Sequence, residues 1–119
     1  MSYLMRSNAE LFNAIKNSLK GFVVVWHGEV AFRQYVTLSA VLLPIALWLG
    51  DSGLERAILI LSVLIILLME LVNTAIEAVV DRIGSEHHEL SGAAKDIGSA
   101  AVFLSIVMFV ITWLLILFT

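Results

Sequence analysis

The sequence predicts an all-α membrane protein, a surface helix followed by three transmembrane helices. Three observations lead there. Apolar residues make up 61% of the 119-residue chain and charged residues only 14%, against about half and about a quarter in a soluble domain. Residues 30–49, 57–80 and 97–118 each supply the run of about 20 mostly apolar residues that a bilayer core demands of a helix. These runs are apolar around most of their circumference, which a soluble bundle of amphipathic helices is not. A single proline and seven glycines exclude a disordered or fibrous chain. The absence of cysteine excludes disulfide frameworks and thiolate metal sites. No short apolar run precedes a small-residue cleavage site near the N-terminus, so no signal peptide is expected. A net charge of −3 is too small to argue for any partner.

The elements follow in order as one membrane domain, residues 1–119. Over about residues 8–27, Leu11, Phe12, Ile15, Leu19, Phe22, Val23 and Trp26 recur at three- and four-residue steps. Asn13, Lys16, Asn17 and Lys20 take the other face. Such an amphipathic helix suits a membrane surface, or packing on the protein's own spans. The first span carries Arg33 and Gln34 near its start, the second ends in polar turns, and the third is the cleanest. The loops are GDSG (50–53) and DRIGSEHHELSGAAKD (81–96). Basic residues set the orientation. Arg6, Lys16, Lys20, Arg33, Arg82 and Lys95 share one side and only Arg56 lies opposite, so the N-terminus and the long loop are expected in the cytoplasm.

The second span poses the chemical question. After AILILSVLIILLM (57–69) comes ELVNTAIEAVVD (70–81). At about 100° per residue, Glu77 falls about 20° to one side of Glu70, Asp81 about 20° to the other, and Asn73 about 60° away. A charge inside a membrane helix costs up to about 3 kcal/mol, and such residues mark functional sites. The stripe must face protein, water or ions; interhelix hydrogen bonding alone is the plainer account. Stacked carboxylates can hold a hard cation such as Mg²⁺, which keeps waters and phosphates as further ligands. A partly desolvated carboxylate can act as general base. Glu70 is deepest and the better base; Glu77 is nearer water and the better ligand. Glu29, at the start of the first span, could complete a metal site. One copy of three short spans offers little shelter for the stripe, which argues for an oligomer.

The second loop holds His87 and His88 between Glu86 and Glu89. Adjacent histidines diverge on a helix and no second cluster exists, which disfavours zinc. SGAAKD (91–96) would open the third helix and offer N–H groups and Lys95 to an anion. Alternatively, Ser91 caps that helix and Lys95 pairs with Asp96 or Glu89. Ala94, Gly98, Ala101 and Ser105 form a small-residue stripe that reads as a close helix contact. No known phosphate loop occurs. Phosphoryl transfer fits these residues, and so does cation-coupled transport.

The run ELVNTAIEAVVDRIGSEHHELSGAAKDIGSAAV (70–102), with WHGEVAFRQ (26–34) and the order of spans, resembles the prokaryotic diacylglycerol kinases across nearly the whole chain. The likeness is nearer the Gram-negative members than the related undecaprenol kinases, on RIGSE-H-ELSG (82–92) and AFRQ (31–34). It implies an inner-membrane, ATP- and Mg²⁺-dependent kinase, assembled as a homotrimer with shared sites, phosphorylating the primary hydroxyl of diacylglycerol. The position matching Glu70 is the family's catalytic base. Those matching Glu29 and Glu77 hold the metal beside the nucleotide. Glu86, His87, His88, Lys95 and Asp96 match the nucleotide-contacting part, and Asn73 and Asp81 its supporting residues. Trp26, Arg33, Gln34, Arg56, Ser99 and Trp113 match positions along the lipid site, with Glu70. The family often draws an arginine and a tyrosine from its surface helix where this chain has Glu10 and Asn17, and a tyrosine where it has His87. These departures concern adenine-side contacts. Undecaprenol remains the rival acceptor within the family, and a small cation-coupled transporter the rival from another class.

Overall fold

A computed structural model describes residues 3–84 and 88–119. The described chain is helical: α1 (Tyr3–Gly28), α2 (Val30–Leu49), α3 (Gly53–Ile83) and α4 (Glu89–Phe118). It divides into two compact units, Met1–Val30 and Ala31–Thr119.

The first unit comprises α1, Glu29 and the first residue of α2, Val30. Leu11, Phe12, Ile15, Leu19 and Phe22 are exposed on it, as are Lys16 and Lys20. The backbone N–H of Glu29 donates to Val25 O at 2.9 Å, carrying the helical bonding of α1 one residue past Gly28.

In the second unit, α2, α3 and α4 are each long and apolar enough to cross a membrane. The protein is therefore a membrane protein. At about 1.5 Å per residue, the 20 residues of α2 match a core of about 30 Å. The 31 residues of α3 and 30 of α4 overrun that core by about 15 Å. Four hydroxyls within the spans bond backwards to their own helix, which hides them from lipid. Thr37 donates to Arg33 O, Ser39 to Tyr35 O, Ser62 to Leu59 O and Ser105 to Val102 O, all at 2.6–2.8 Å.

The α2–α3 turn is drawn tight by a glycine. A Cβ on Gly50 would sit 2.5 Å from Arg56 Cγ and 3.1 Å from Arg56 N. This closeness lets Arg56 Nε donate to Leu47 O at 3.1 Å, satisfying a carbonyl that the end of α2 leaves unpaired. Ser52 caps α3 by accepting from Glu55 N at 3.1 Å, while the Glu55 carboxylate accepts from Asp51 N.

Among the described residues, the extensive packing is between α3 and α4. The buried residues of α3 are Leu59, Ser62, Val63, Ile66, Glu70, Asn73 and Val80. Their three- and four-residue steps trace one seam. Gly98, Val102 and Ser105 are their counterparts on α4. Three contacts fix the register: Ser62 with Trp113, Asn73 with Gly98, and Asp81 with Lys95. Numbers rise along α3 as they fall along α4, so the helices are antiparallel. The overrun of both therefore lies at one end, where Asp81 and Lys95 are. The small-residue stripe forms the contact expected of it, with Gly98 and Ser105 buried.

The start of α4 differs from expectation. His88 is its N-cap, its Nδ1 accepting from Leu90 N at 3.1 Å, and Gly92 N already donates to His88 O at 2.9 Å. A histidine acceptor ahead of Glu89 lets the helix begin earlier, so 91–96 lies within it. Ser91 is not the cap, and the N–H groups of this stretch from Gly92 onward are committed to the helix ladder rather than open to an anion.

Candidate active site

Glu70 stands on α3 in the seam that begins with Leu59, Val63 and Ile66. The helix continues through it because nothing in ELVNTAIEAVVD breaks a helix, and the 3.6-residue period carries the seam from apolar to polar residues. Exposure rises along that stripe. Glu70 and Asn73 are 6% and 7% exposed. Glu77 is half-buried and Asp81 exposed. One face thus runs from an apolar seam into water in about three turns.

A single chain already buries the deepest carboxylate. Glu70 and Asn73 are covered within one chain, while Glu77 and Asp81 stay open to whatever lies beyond it. Gly98 lets α4 come close to Asn73. A Cβ there would collide with Asn73 Oδ1 and lie 3.3 Å from Asn73 Cγ. With only hydrogen in that place, the α4 backbone comes directly against the amide. Asn73 Nδ2 donates to Glu77 Oε1 at 3.2 Å. Asn73 Oδ1 is buried without a hydrogen-bond donor, as is Thr74 Oγ1.

Further toward the helix ends, Lys95 Nζ meets Asp81 Oδ1 at 2.7 Å. Lys95 thus pairs across the seam rather than with Asp96 or Glu89, because the antiparallel register sets it opposite Asp81. It lies just before the apolar run that starts at Ile97. The hydrogen bond and charge of Asp81 raise its pKa above the ordinary lysine value, so it stays cationic at neutral pH.

A family model described as prokaryotic diacylglycerol kinase matches residues 16–117. The chain belongs to the prokaryotic diacylglycerol kinase family. A diacylglycerol kinase of Escherichia coli is 48% identical over 109 residues, which cover 92% of this chain and 89% of that one. One from Pseudomonas aeruginosa is 49% identical over 107 residues, 90% and 87% of the two chains. One from Helicobacter pylori is 37% identical over 103 residues, 87% and 80%. As a member of the prokaryotic diacylglycerol kinase family, the protein is a kinase.

The structure brings together Glu70, Asn73, Glu77, Asp81 and Lys95, with Gly98 between them. Asp96 and Ser99 are exposed on α4 beside this group. Arg56 and Trp113 are not part of it. Arg56 is bound to the end of α2, about 21 Å from Glu70 along α3. Trp113 donates to Ser62, about 12 Å from Glu70. On α2, Arg33 is half-buried and Gln34 exposed. Trp26 and Glu29 belong to the first unit. Glu86 and His87 lie outside the described residues, and His88 serves as the N-cap.

For a divalent cation the donor chemistry fits. Among the described residues, no group of three or more histidines and carboxylates forms a ready cage. Mg²⁺ requires no such cage: it characteristically takes one or two carboxylates and fills its shell with water and substrate phosphates. Glu77, which accepts from Asn73 and opens to water, has the chemistry that such a ligand would need. Reading the sequence missed Gly98 as a site-shaping residue and Ser62 as the partner of Trp113. The small-residue stripe pointed to the first; a lone serine in an apolar run carried no signal for its partner.

Proposed function

We propose that the chain transfers the γ-phosphoryl group of ATP to the primary hydroxyl of diacylglycerol at the cytoplasmic face of the bacterial inner membrane. The product is phosphatidic acid, which returns to phospholipid synthesis. The supporting observation is the exposure gradient on one face of α3: a buried Glu70 followed by Asn73, Glu77 and Asp81 opening to water. A lipid hydroxyl at the membrane edge and a phosphate donor from the cytoplasm would meet along such a face.

Glu70 is the general base. Its carboxylate takes the hydroxyl proton as the lipid oxygen bonds to phosphorus and the bond to the leaving ADP oxygen breaks. Burial keeps water from competing for the phosphoryl group. Glu77, with Glu29 as the resemblance implies, would hold the cation, and Mg²⁺ would supply charge neutralisation to the phosphates when bound. Lys95, held by Asp81, adds a positive charge on the nucleotide side, with Asp96 and the segment 86–88. Trp26, Arg33, Gln34, Ser99, Trp113 and Arg56 line the lipid. The acyl chains extend along the span, so residues about 12–21 Å deeper than Glu70 remain within their length. The whole chain acts as one membrane domain in a homotrimer, with α1 on the cytoplasmic surface and the C-terminus in the periplasm.

The test is transfer from labelled ATP to diacylglycerol in mixed micelles, with and without Mg²⁺, for wild type and Glu70→Gln. Mg²⁺-dependent phosphatidic acid formation that falls at least about 100-fold in the variant is expected, the size of a lost general base. Near-wild-type turnover in the variant would remove Glu70 from that role. Transfer to undecaprenol but not diacylglycerol would reassign the acceptor.

A further inference from the structure

We infer that Gly98 is a positioning residue for Glu77, acting through Asn73. The inference rests on the proposed role of Glu77 as a ligand on the nucleotide side. Asn73 is 7% exposed, and its two amide ends face different neighbours. Nδ2 donates to Glu77 Oε1 at 3.2 Å. Oδ1 has no N–H or O–H donor. It sits where the Cβ of any other residue at 98 would be.

The place of that missing Cβ is taken by an α-hydrogen of Gly98 directed at Oδ1. Contacts of the Cα–H···O kind recur at close helix interfaces and are weakly attractive. They suit an oxygen that would otherwise be buried with no partner at all. The same contact settles which way the amide points. The reversed amide would set Oδ1 against the Glu77 carboxylate, oxygen to oxygen, and Nδ2 against a C–H. Glycine at 98 therefore does two things at once. It admits the amide to the seam, and it leaves the donor end directed at Glu77. Ile76 Cδ1, 3.7 Å from the same point, would be in ordinary contact with a Cβ, so the room a Cβ needs has to come from Asn73.

Alanine at 98 must then displace Asn73, and Glu77 loses its donor. Three variants in detergent micelles test this: Gly98→Ala, Asn73→Ala and the double variant, with Glu77→Gln as reference. The readouts are Mn²⁺ affinity with a non-hydrolysable ATP analogue, by electron paramagnetic resonance, and the thermal midpoint. Asn73→Ala is expected to weaken Mn²⁺ binding by about tenfold, the size of one hydrogen bond to a charged group. Gly98→Ala should match it within about twofold, and the double variant should be no weaker than either. In the Asn73→Ala background the added methyl has room, so Gly98→Ala should lower the midpoint in wild type and not there.

Wild-type Mn²⁺ affinity in Gly98→Ala, with weakened binding in both Asn73→Ala and Glu77→Gln, would overturn the role of Gly98 alone. Full additivity in the double variant would do the same. Unchanged affinity in Glu77→Gln would instead overturn the parent reading of Glu77, and the midpoint cycle would still decide whether Gly98 acts on Asn73.

Discussion

Trp113 offers a prediction in which two roles give different numbers. Its Nε1 donates to Ser62 Oγ at 3.0 Å, and Ser62 Oγ donates onward to Leu59 O at 2.7 Å. Ser62 is 5% exposed, so water cannot replace the indole. In Trp113→Phe the serine keeps its own acceptor and only a lone pair loses its donor. That limits the cost. Interhelix hydrogen bonds within a membrane protein average about 0.6 kcal/mol and reach about 1.7 kcal/mol. The smaller ring also loses packing against Phe109, whose centroid lies 5.2 Å away. A double-mutant cycle with Ser62→Ala removes that packing from the balance. Reversible unfolding in mixed SDS micelles should give a coupling of about 0.6–1.7 kcal/mol. A coupling indistinguishable from zero would refute the view that this bond pins α4 in register on α3. If Trp113→Phe leaves stability intact and raises only the KM for lipid, the residue acts on substrate instead.

Glu77→Gln should raise the Mg²⁺ concentration for half-maximal activity by about tenfold or more, within the range found when support for a metal ligand is lost; an unchanged Mg²⁺ titration would take Glu77 out of the cation's shell. Asp81→Asn releases Lys95 from its partner. Both groups are exposed and screened, so the melting temperature should scarcely move while the KM for ATP rises several-fold, about as one loosened charge contact allows; an unchanged KM would detach the pair from nucleotide binding. Gly50→Ala should push Arg56 off Leu47 O and destabilise the α2–α3 turn by about 1–3 kcal/mol, the usual cost of overpacking, read by SDS unfolding. Wild-type stability would show that the turn relaxes around the methyl.

Much of this site was legible because a helix is a local object. Its period depends on neighbouring residues alone, so Glu70, Asn73, Glu77 and Asp81 had to share a face once the helix ran through residue 81. Hydropathy likewise settled the spans, since lipid offers the backbone no hydrogen bonds outside a helix. Sequence similarity over residues 16–117 settled the family.

What covers that face was decided by packing between segments far apart in the chain. The sequence alone left Lys95 free to choose among Asp96 and Glu89, and the antiparallel register gave it Asp81. It expected little shelter for the carboxylates in one copy, and a single chain buries Glu70 and Asn73 while Glu77 and Asp81 stay open. It placed the start of α4 near Ser91, and His88 Nδ1 moved the cap earlier. Gly98 was readable as small, but not as the residue that orients Asn73. Register is fixed by which side chains interdigitate across the seam, and no periodicity within one helix encodes its alignment with another.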